Sequence, residues 1–258
     1  MAMNASRRRK ADTKPAEGAS RALPRTAPQT ENPGTKKAAM ADRRTRILQV
    51  AARRFAEFGF AATTVRQIAD DVNILSGSLF HHFTTKEEML HEIVRNAVLQ
   101  MRDNTTRIAR APVDAEQRLV ALILLDLGEL TRNQEIHAIL YNERKFFRRR
   151  EEFAYVVQAK KKAYLAWKSV LQDGVKSKLF KPDLDIYLTI STVLRMLNAA
   201  ADWYKNEDGS VLDVLGSYTL DQVIDFHLSF ILSAVRAPQR ASEPIPRQAC
   251  EDLAKFRS

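Results

Sequence analysis

Apolar residues recur at three- and four-residue spacing through most of residues 42–235, and no stretch alternates apolar and polar positions as a half-buried strand would. Ile47, Leu48, Ala51, Ala52, Phe55 and Phe58 predict a first helix over about 42–58, with Gly59 just past its end. Val65, Ile68, Ala69 and Val72 mark a short second helix, and Thr64 with Gln67 has the form of a capping box at its start. Asn73 falls where the chain must turn, a position at which Asn tolerates left-handed backbone. Ser76 is placed to cap a short third helix anchored by Leu79, Phe80 and Phe83. Thr85 and Glu88 form a second capping box, which opens a helix over about 86–105 with Met89, Leu90, Ile93, Val94, Ala97, Val98 and Met101 on one face.

Beyond Ala111-Pro112 the same periodicity predicts helices over about 114–131, 134–147, 148–178, 185–204 and 219–235. LFKPDLD at 179–185 breaks the chain and caps the helix after it. The expected fold is all-α, with a three-helix helix-turn-helix domain over 42–102 and a larger helical domain over 103–236. Residues 1–41 lack periodicity and are expected to be a disordered basic tail, and 237–258 a flexible C-terminal tail.

Two features of the second domain point past packing. The last two helices are apolar on more than one side, which suits either a buried pair or a two-fold, four-helix interface between copies. Tyr141, Phe146, Phe147, Tyr164, Trp167, Trp203 and Tyr204 can either fill a core or line a pocket for an apolar ligand.

The formal charge is +10. Residues 1–41 carry nine Lys/Arg against three Asp/Glu, and residues 43–102 nine against six, so the basic excess lies in the tail and the short-helix unit. That location favours an anionic partner such as nucleic acid. Ser76, Ser78 and His81, with Arg66 and Gln67 on the preceding helix, are short or polar groups able to meet phosphates and base edges. A solvated face on an ordinary helical hairpin is the plain alternative.

A single cysteine, Cys250, excludes an intramolecular disulfide and a cysteine-based zinc site, and its polar surroundings suggest a surface thiol. The longest apolar run, 119–125, is far short of a membrane span, and Arg7-Arg8-Arg9-Lys10 has no apolar stretch after it. These point to a cytoplasmic protein with no membrane partner. There is no Gly-rich phosphate loop, nucleophile elbow or metal-ligand cluster, and His137 and His227 stand alone, so no catalytic or metal residue is expected.

The stretch from Arg43 to about Met101 resembles the DNA-binding domain of the TetR family of repressors. The matching residues are Ile47, Ala51, Phe55, Gly59, Phe60, Thr63-Thr64-Val65, Ile68-Ala69, Gly77, Leu79, His82-Phe83 and Lys86. Two residues depart from the family pattern: Asn73 stands where Gly is usual, and Phe80 where Tyr is usual. The resemblance implies a homodimer on a palindromic double-stranded operator and a small-molecule effector. Carried onto this chain, it implies DNA-contacting positions at Arg43, Arg44, Thr64, Arg66, Gln67, Ser76, Ser78, Leu79, His81, His82 and Lys86. Lys86 would add to the positive potential of a helix start, as a phosphate contact.

Tyr141, Trp167, Gly174, the LFKPDLD segment and Trp203-Tyr204-Lys205 are further similar to a subgroup of that family that senses acyl-CoA thioesters, including regulators of fatty acid and of cholesterol ring degradation. This implies no cofactor but a CoA thioester as effector, held by Leu140, Tyr141, Arg144, Phe147, Tyr164, Trp167, Leu171, Trp203 and Tyr204. The CoA phosphates would lie near Arg144, Lys145, Lys160 to Lys162, Lys168 or Lys205. A repressor of efflux genes that senses a drug-like lipophile, and a DNA-binding protein without a ligand, are the alternatives.

Overall fold

The structure, a computed structural model, describes residues 33–200 and 218–255. Among these the chain forms α1 (Pro33–Phe58), α2 (Val65–Asp71), α3 (Ser76–Phe80) and α4 (Lys86–Ala109). There follow α5 (Ala115–Arg132), α6 (Gln134–Asn142), α7 (Arg144–Arg149), α8 (Ala154–Lys176), α9 (Ile186–Ala199), α10 (Leu220–Val235) and α11 (Arg247–Ala254). The expected disorder of residues 1–32 lies outside the described residues.

Five helices, α2, α4, α5, α9 and α10, start where a side chain satisfies a free N–H group of the first turn. Thr64 accepts from Gln67 N while the Gln67 amide oxygen accepts from Thr64 N at 2.8 Å. Asp114 with Gln117 and Thr219 with Gln222 repeat the arrangement, and Asp185 accepts from Leu188 N at 2.9 Å. Each such cap stabilises its helix by about 1 kcal/mol. Asn73 takes φ 58 at the turn between α2 and α3. The third helix differs from expectation: Leu75, not Ser76, is its N-cap, with no side-chain bond, so α3 is held by its neighbours rather than by its own cap.

Two apolar cores result. One joins α1 to α4 through Ile47, Phe55, Ile68, Leu79, Phe83 and Leu90, and it continues without a break into Ile139, Leu140, Phe147, Phe153 and Val156 of the following helices. The other packs α5, α8, α9, α10 and α11 around Leu119, Ile123, Trp167, Leu171, Phe180 and Leu228. The inner face of α10 is thus core, while Phe226 and Phe230 stack on its outer face and stay 54% and 55% exposed. Phe58 and Phe80, expected to point inward, are also exposed.

Both chain ends carry more helix than the pattern suggested. The first helix begins at Pro33, not Asp42: Pro fits a first helical position, and the Lys/Ala run behind it favours helix. The stretch 237–255 is not a free tail. Cys250 and Ala254 of α11 are buried in the second core, so Cys250 is not a surface thiol. Arg247 pairs with Asp221 and Asp225, and Arg107 donates to the Leu253 and Lys255 carbonyls at 3.0 and 2.9 Å. Arg236, itself buried, forks onto the buried Glu116 carboxylate at 3.0 and 2.6 Å and reaches the Glu243 carbonyl at 2.6 Å. The two cores leave two surfaces for function, the outer face of α2 and α3 and a cavity behind α4.

Candidate nucleic-acid interface and adjoining cavity

The short helices present one polar face. Arg66, Gln67 and His81 are exposed, Ser76, Ser78 and His82 half-buried, and Arg43 lies exposed on α1. The neighbouring Leu75 and Phe80 are 80% and 53% exposed. Burial and the Arg43 and Arg44 charges press the His82 imidazole below its usual pKa, toward the neutral form.

Three expected members of this face are turned elsewhere. Leu79 is wholly buried and forms part of the core under α3, so it cannot touch a ligand outside. Arg44 pairs with Glu92 of α4 and lies over the Phe83 ring at 4.3 Å. Lys86 donates to the Phe60 and Thr63 carbonyls at 2.6 and 2.7 Å and sits 4.3 Å over the Phe60 ring, where desolvation lowers its pKa. It fastens the loop before α2 and is not a free phosphate contact. Thr64 is exposed, but its hydroxyl is taken up in the cap. Phe80 is the residue of this face that periodicity assigned to the core.

That loop is also gripped from the far domain. Phe60 N donates to Glu143 Oε1 at 2.8 Å, and the Phe60 ring packs on Phe146 at 4.8 Å. Gly59 takes φ +84, and Thr63 Oγ1 donates to the Gly59 carbonyl at 2.9 Å. The segment leading into α2 is therefore held between α4 and the α6–α7 corner.

Behind that corner lies a cavity of about 220 Å³. Its apolar wall includes Leu140, Ala163, Trp167, Leu194 and Leu197, with Tyr141 and Tyr164 alongside, and Met101 and Thr105 of α4 also line it. Its polar groups are Asp126, His137, Arg144, Lys160 and Asn198. Burial, helped by the Glu129 charge, pushes the Asp126 carboxyl up to about 7. Burial, then the Lys160 charge, pushes His137 down to about 4. Burial, then Arg148 and Arg144, brings Lys160 down to about 8; its ammonium donates to the Leu140 carbonyl at 2.9 Å.

Of the expected ligand residues, Leu140, Tyr141, Arg144, Tyr164 and Trp167 meet at this cavity. Phe147 does not; it is buried against Phe146 and Phe153 in the first core. Leu171 does not either, being packed in the second core. Trp203, Tyr204 and Lys205 lie outside the described residues. Asp126 and His137 were missed, although a lone acid directly after the apolar run 119–125 was a signal that one carboxylate faces inward. Among the described residues no group of three or more His, Cys, Asp or Glu could hold a metal ion, and no helix is long and apolar enough to cross a membrane.

Residues 47–93 match the family described as bacterial regulatory proteins, tetR family, and residues 112–235 match the tetracyclin repressor-like C-terminal domain. The chain is 34% identical over 196 residues to the HTH-type transcriptional repressor KstR2 of Rhodococcus jostii, covering 76% of this chain and 92% of that protein. The structure of the ketosteroid transcriptional regulator KstR2 of Mycobacterium tuberculosis superposes with a TM-score of 0.68 at 29% identity, covering 82% of this chain and 99% of that one. AibR, solved in complex with isovaleryl coenzyme A and operator DNA, shares the fold at a TM-score of 0.61 and 22% identity, covering 73% of this chain and 97% of that one.

Proposed function

This chain belongs to the TetR family of bacterial regulatory proteins and is a DNA-binding transcriptional regulator rather than an enzyme, and we propose that it acts as a homodimeric repressor released from palindromic operator DNA by a lipophilic effector of the CoA-thioester type. In this reading α3 enters the major groove with Ser76, Ser78, Phe80 and His81, while Arg43, Arg66 and the free amide nitrogen of Gln67 meet the flanking backbone. Phe80 supplies apolar contact in the groove, and the serines and His81 the hydrogen bonds.

A two-fold pair presents two such readers to successive major grooves, roughly 34–36 Å apart. The stacked, exposed Phe226 and Phe230 on α10, with Tyr187 and Leu188 exposed on α9, support a second copy as the partner that covers this apolar surface.

One observation carries the regulatory part. The helix that starts at the reader, α4, also lines the cavity with Met101 and Thr105. A ligand there favours whichever helix placement accommodates it, and it shifts DNA affinity by its preference between the two placements. The apolar wall and the similarity to a ketosteroid transcriptional regulator support an alicyclic or acyl body as the occupant. Asp126 gives a cationic drug-like lipophile one foothold, but Lys160, Arg144 and His137 share the same cavity and oppose it.

The test is fluorescence anisotropy on a duplex selected from a random-sequence pool, repeated with a panel of CoA thioesters. We expect a thioester to weaken DNA binding at least tenfold, about 1.4 kcal/mol. An unchanged affinity across the panel removes the effector; failure to select any duplex removes the reader.

A further inference from the structure

We propose that the segment 237–255, which ends in α11, is a strap that closes on the far end of α4 in the placement that holds DNA and opens when that helix shifts. The proposal rests on α4 as the helix shared by cavity and reader. It adds a restraint from beyond the family's C-terminal domain, whose match ends at residue 235.

The strap is held at three places, each on a different helix. Arg107 of α4 donates to the Leu253 and Lys255 carbonyls, at the end of α11 where carbonyls lack partners within the helix and its dipole favours a cation. Cys250 and Ala254 are buried in the core that α5 helps to build, with Ile245 and Leu253 partly buried beside them. Arg247 pairs with Asp221 and Asp225 in the first two turns of α10. The α4 contact carries the regulatory meaning. Arg107 stands two residues beyond Thr105, which lines the cavity. Enlarging that cavity by moving α4 outward takes the Arg107 fork off carbonyls that it meets at 3.0 and 2.9 Å. The closed strap therefore opposes an expanded cavity and favours the placement of α4 without effector, the one that holds DNA in the reading above.

The same segment is made to open before the rest of the fold. Its helix has eight residues and no side chain capping its start, and a helix that short depends on packing. Its buried residues are few and small, and the Asp221 and Asp225 partners of Arg247 lie largely in solvent, so those pairs add little. Segments held by few buried groups open locally at a lower cost than global unfolding. Opening uncovers Cys250, the chain's one cysteine. Burial, then the Asp114 and Glu116 charges, pushes its thiol up to about 11, so the closed form is inert to alkylation. Arg107 lies about 30 Å along α4 from the end at the reader, so a duplex on α3 acts on Cys250 through the fold and not by covering it.

Alkylation of Cys250 by N-ethylmaleimide on the full chain tests this, with and without a saturating selected duplex. In wild type the duplex should slow labelling by at least about threefold, because closure and DNA binding favour the same placement of α4. Arg107→Ala unhooks α11 from α4 alone; it should speed labelling about tenfold and erase the duplex effect. Arg247→Ala loosens the α10 end instead, and should speed labelling while keeping the duplex effect. Arg107→Lys keeps a cation and a single donor; it should show a smaller duplex effect than wild type, and is read in place of the Ala variant if circular dichroism shows that chain unfolded. A bound duplex that leaves the labelling rate unchanged overturns the strap. So does a duplex effect undiminished by loss of the Arg107 fork, or labelling that only follows global unfolding through a urea series. A duplex effect of the expected kind, with no thioester altering DNA binding, keeps the strap and removes only the effector. If wild type selects no duplex, the reader fails and the strap with it.

Discussion

Replacing Asp126 with Asn should stabilise the protein at pH 8 and do little at pH 4. In the folded chain the carboxyl titrates near 7, against an ordinary value of 3.8, chiefly because burial disfavours its charged form. Each unit corresponds to about 1.36 kcal/mol, so the fully developed cost of holding the carboxylate is at most about 4 kcal/mol. The open side of Asp126 faces a cavity that solvent can enter, which brings the expected figure to about 2–3 kcal/mol. The sign follows from the proton count. Between pH 3.8 and about 7 the folded state holds a proton that the unfolded state has lost, so stability falls as pH rises through that window. His137 titrates the opposite way between about 4 and 6.5, with stability rising as pH rises, but it is common to both proteins and cancels in their difference. Urea unfolding of wild type and Asp126→Asn at fixed protomer concentration, from pH 4 to 8.5, reads the effect directly. The stability gap should widen by about 2–3 kcal/mol across the window. A gap that stays flat, or an Asn variant weaker at pH 8, would show that the carboxyl is not held at a cost in this cavity.

Four other outcomes follow from particular contacts. Leu79→Ala should cost about 2–5 kcal/mol of stability, whereas Ser78→Ala should leave the melting temperature unchanged and weaken DNA binding; the two are separated by circular dichroism and anisotropy. Glu143→Ala leaves Phe60 N without its acceptor, which should cost about 1–3 kcal/mol and reduce the fold-change in DNA affinity that an effector produces. Breaking the buried pair by Glu116→Leu or Arg236→Met alone should cost about 3–5 kcal/mol, and the double change should recover most of it in a double-mutant cycle. Gly174→Ala would place a methyl 2.0 Å from the Phe180 ring and should cost about 1–3 kcal/mol or more; Phe180→Leu in the same chain should relieve part of that.

What the sequence revealed was local. The helix starts at Thr64, Thr85, Asp114, Asp185 and Thr219 were legible because a cap is made by residues three apart, and Asn73 because few residues tolerate its φ. The inside and outside of α3 were not, since five residues are too few for a period of 3.6 to separate Leu79 from Phe80. Arg44 and Lys86 were assigned outward because a long cationic side chain can swing either way; distant acceptors, Glu92 and the Phe60 carbonyl, decided it. The α11 segment has few apolar residues and is secured by Cys250 and Ala254 in the second core and by Arg107 and Arg247, contacts that no local pattern encodes. The cavity was half visible: Leu140, Tyr141, Arg144, Tyr164 and Trp167, with Lys160, were named through the resemblance, while spacing alone left core and pocket open, and Asp126 and His137 needed separate helices brought together.

The cavity and the reader share side chains. Leu140 lines the cavity and is at once part of the apolar core that contains Phe55, Leu79 and Phe83. Lys160, at the cavity wall, donates to the Leu140 carbonyl, and a few residues on Glu143 accepts from Phe60 N in the loop that opens α2. At about 220 Å³ the cavity is smaller than the roughly 300 Å³ at which pockets for drug-sized ligands begin. An occupant the size of an alicyclic acyl group must therefore move a wall, and a close-packed interior does not deform smoothly. The α5 and α8 sides are backed by the second core, through Trp167 and its neighbours. The α6 side is backed by the reader's own core, so displacement of Leu140 is felt under Leu79 and at Phe60 without a separate relay. Coupling requires an element whose two arrangements both sites bias, and we propose α6 with its corner at Glu143 as that element, because it touches both sites.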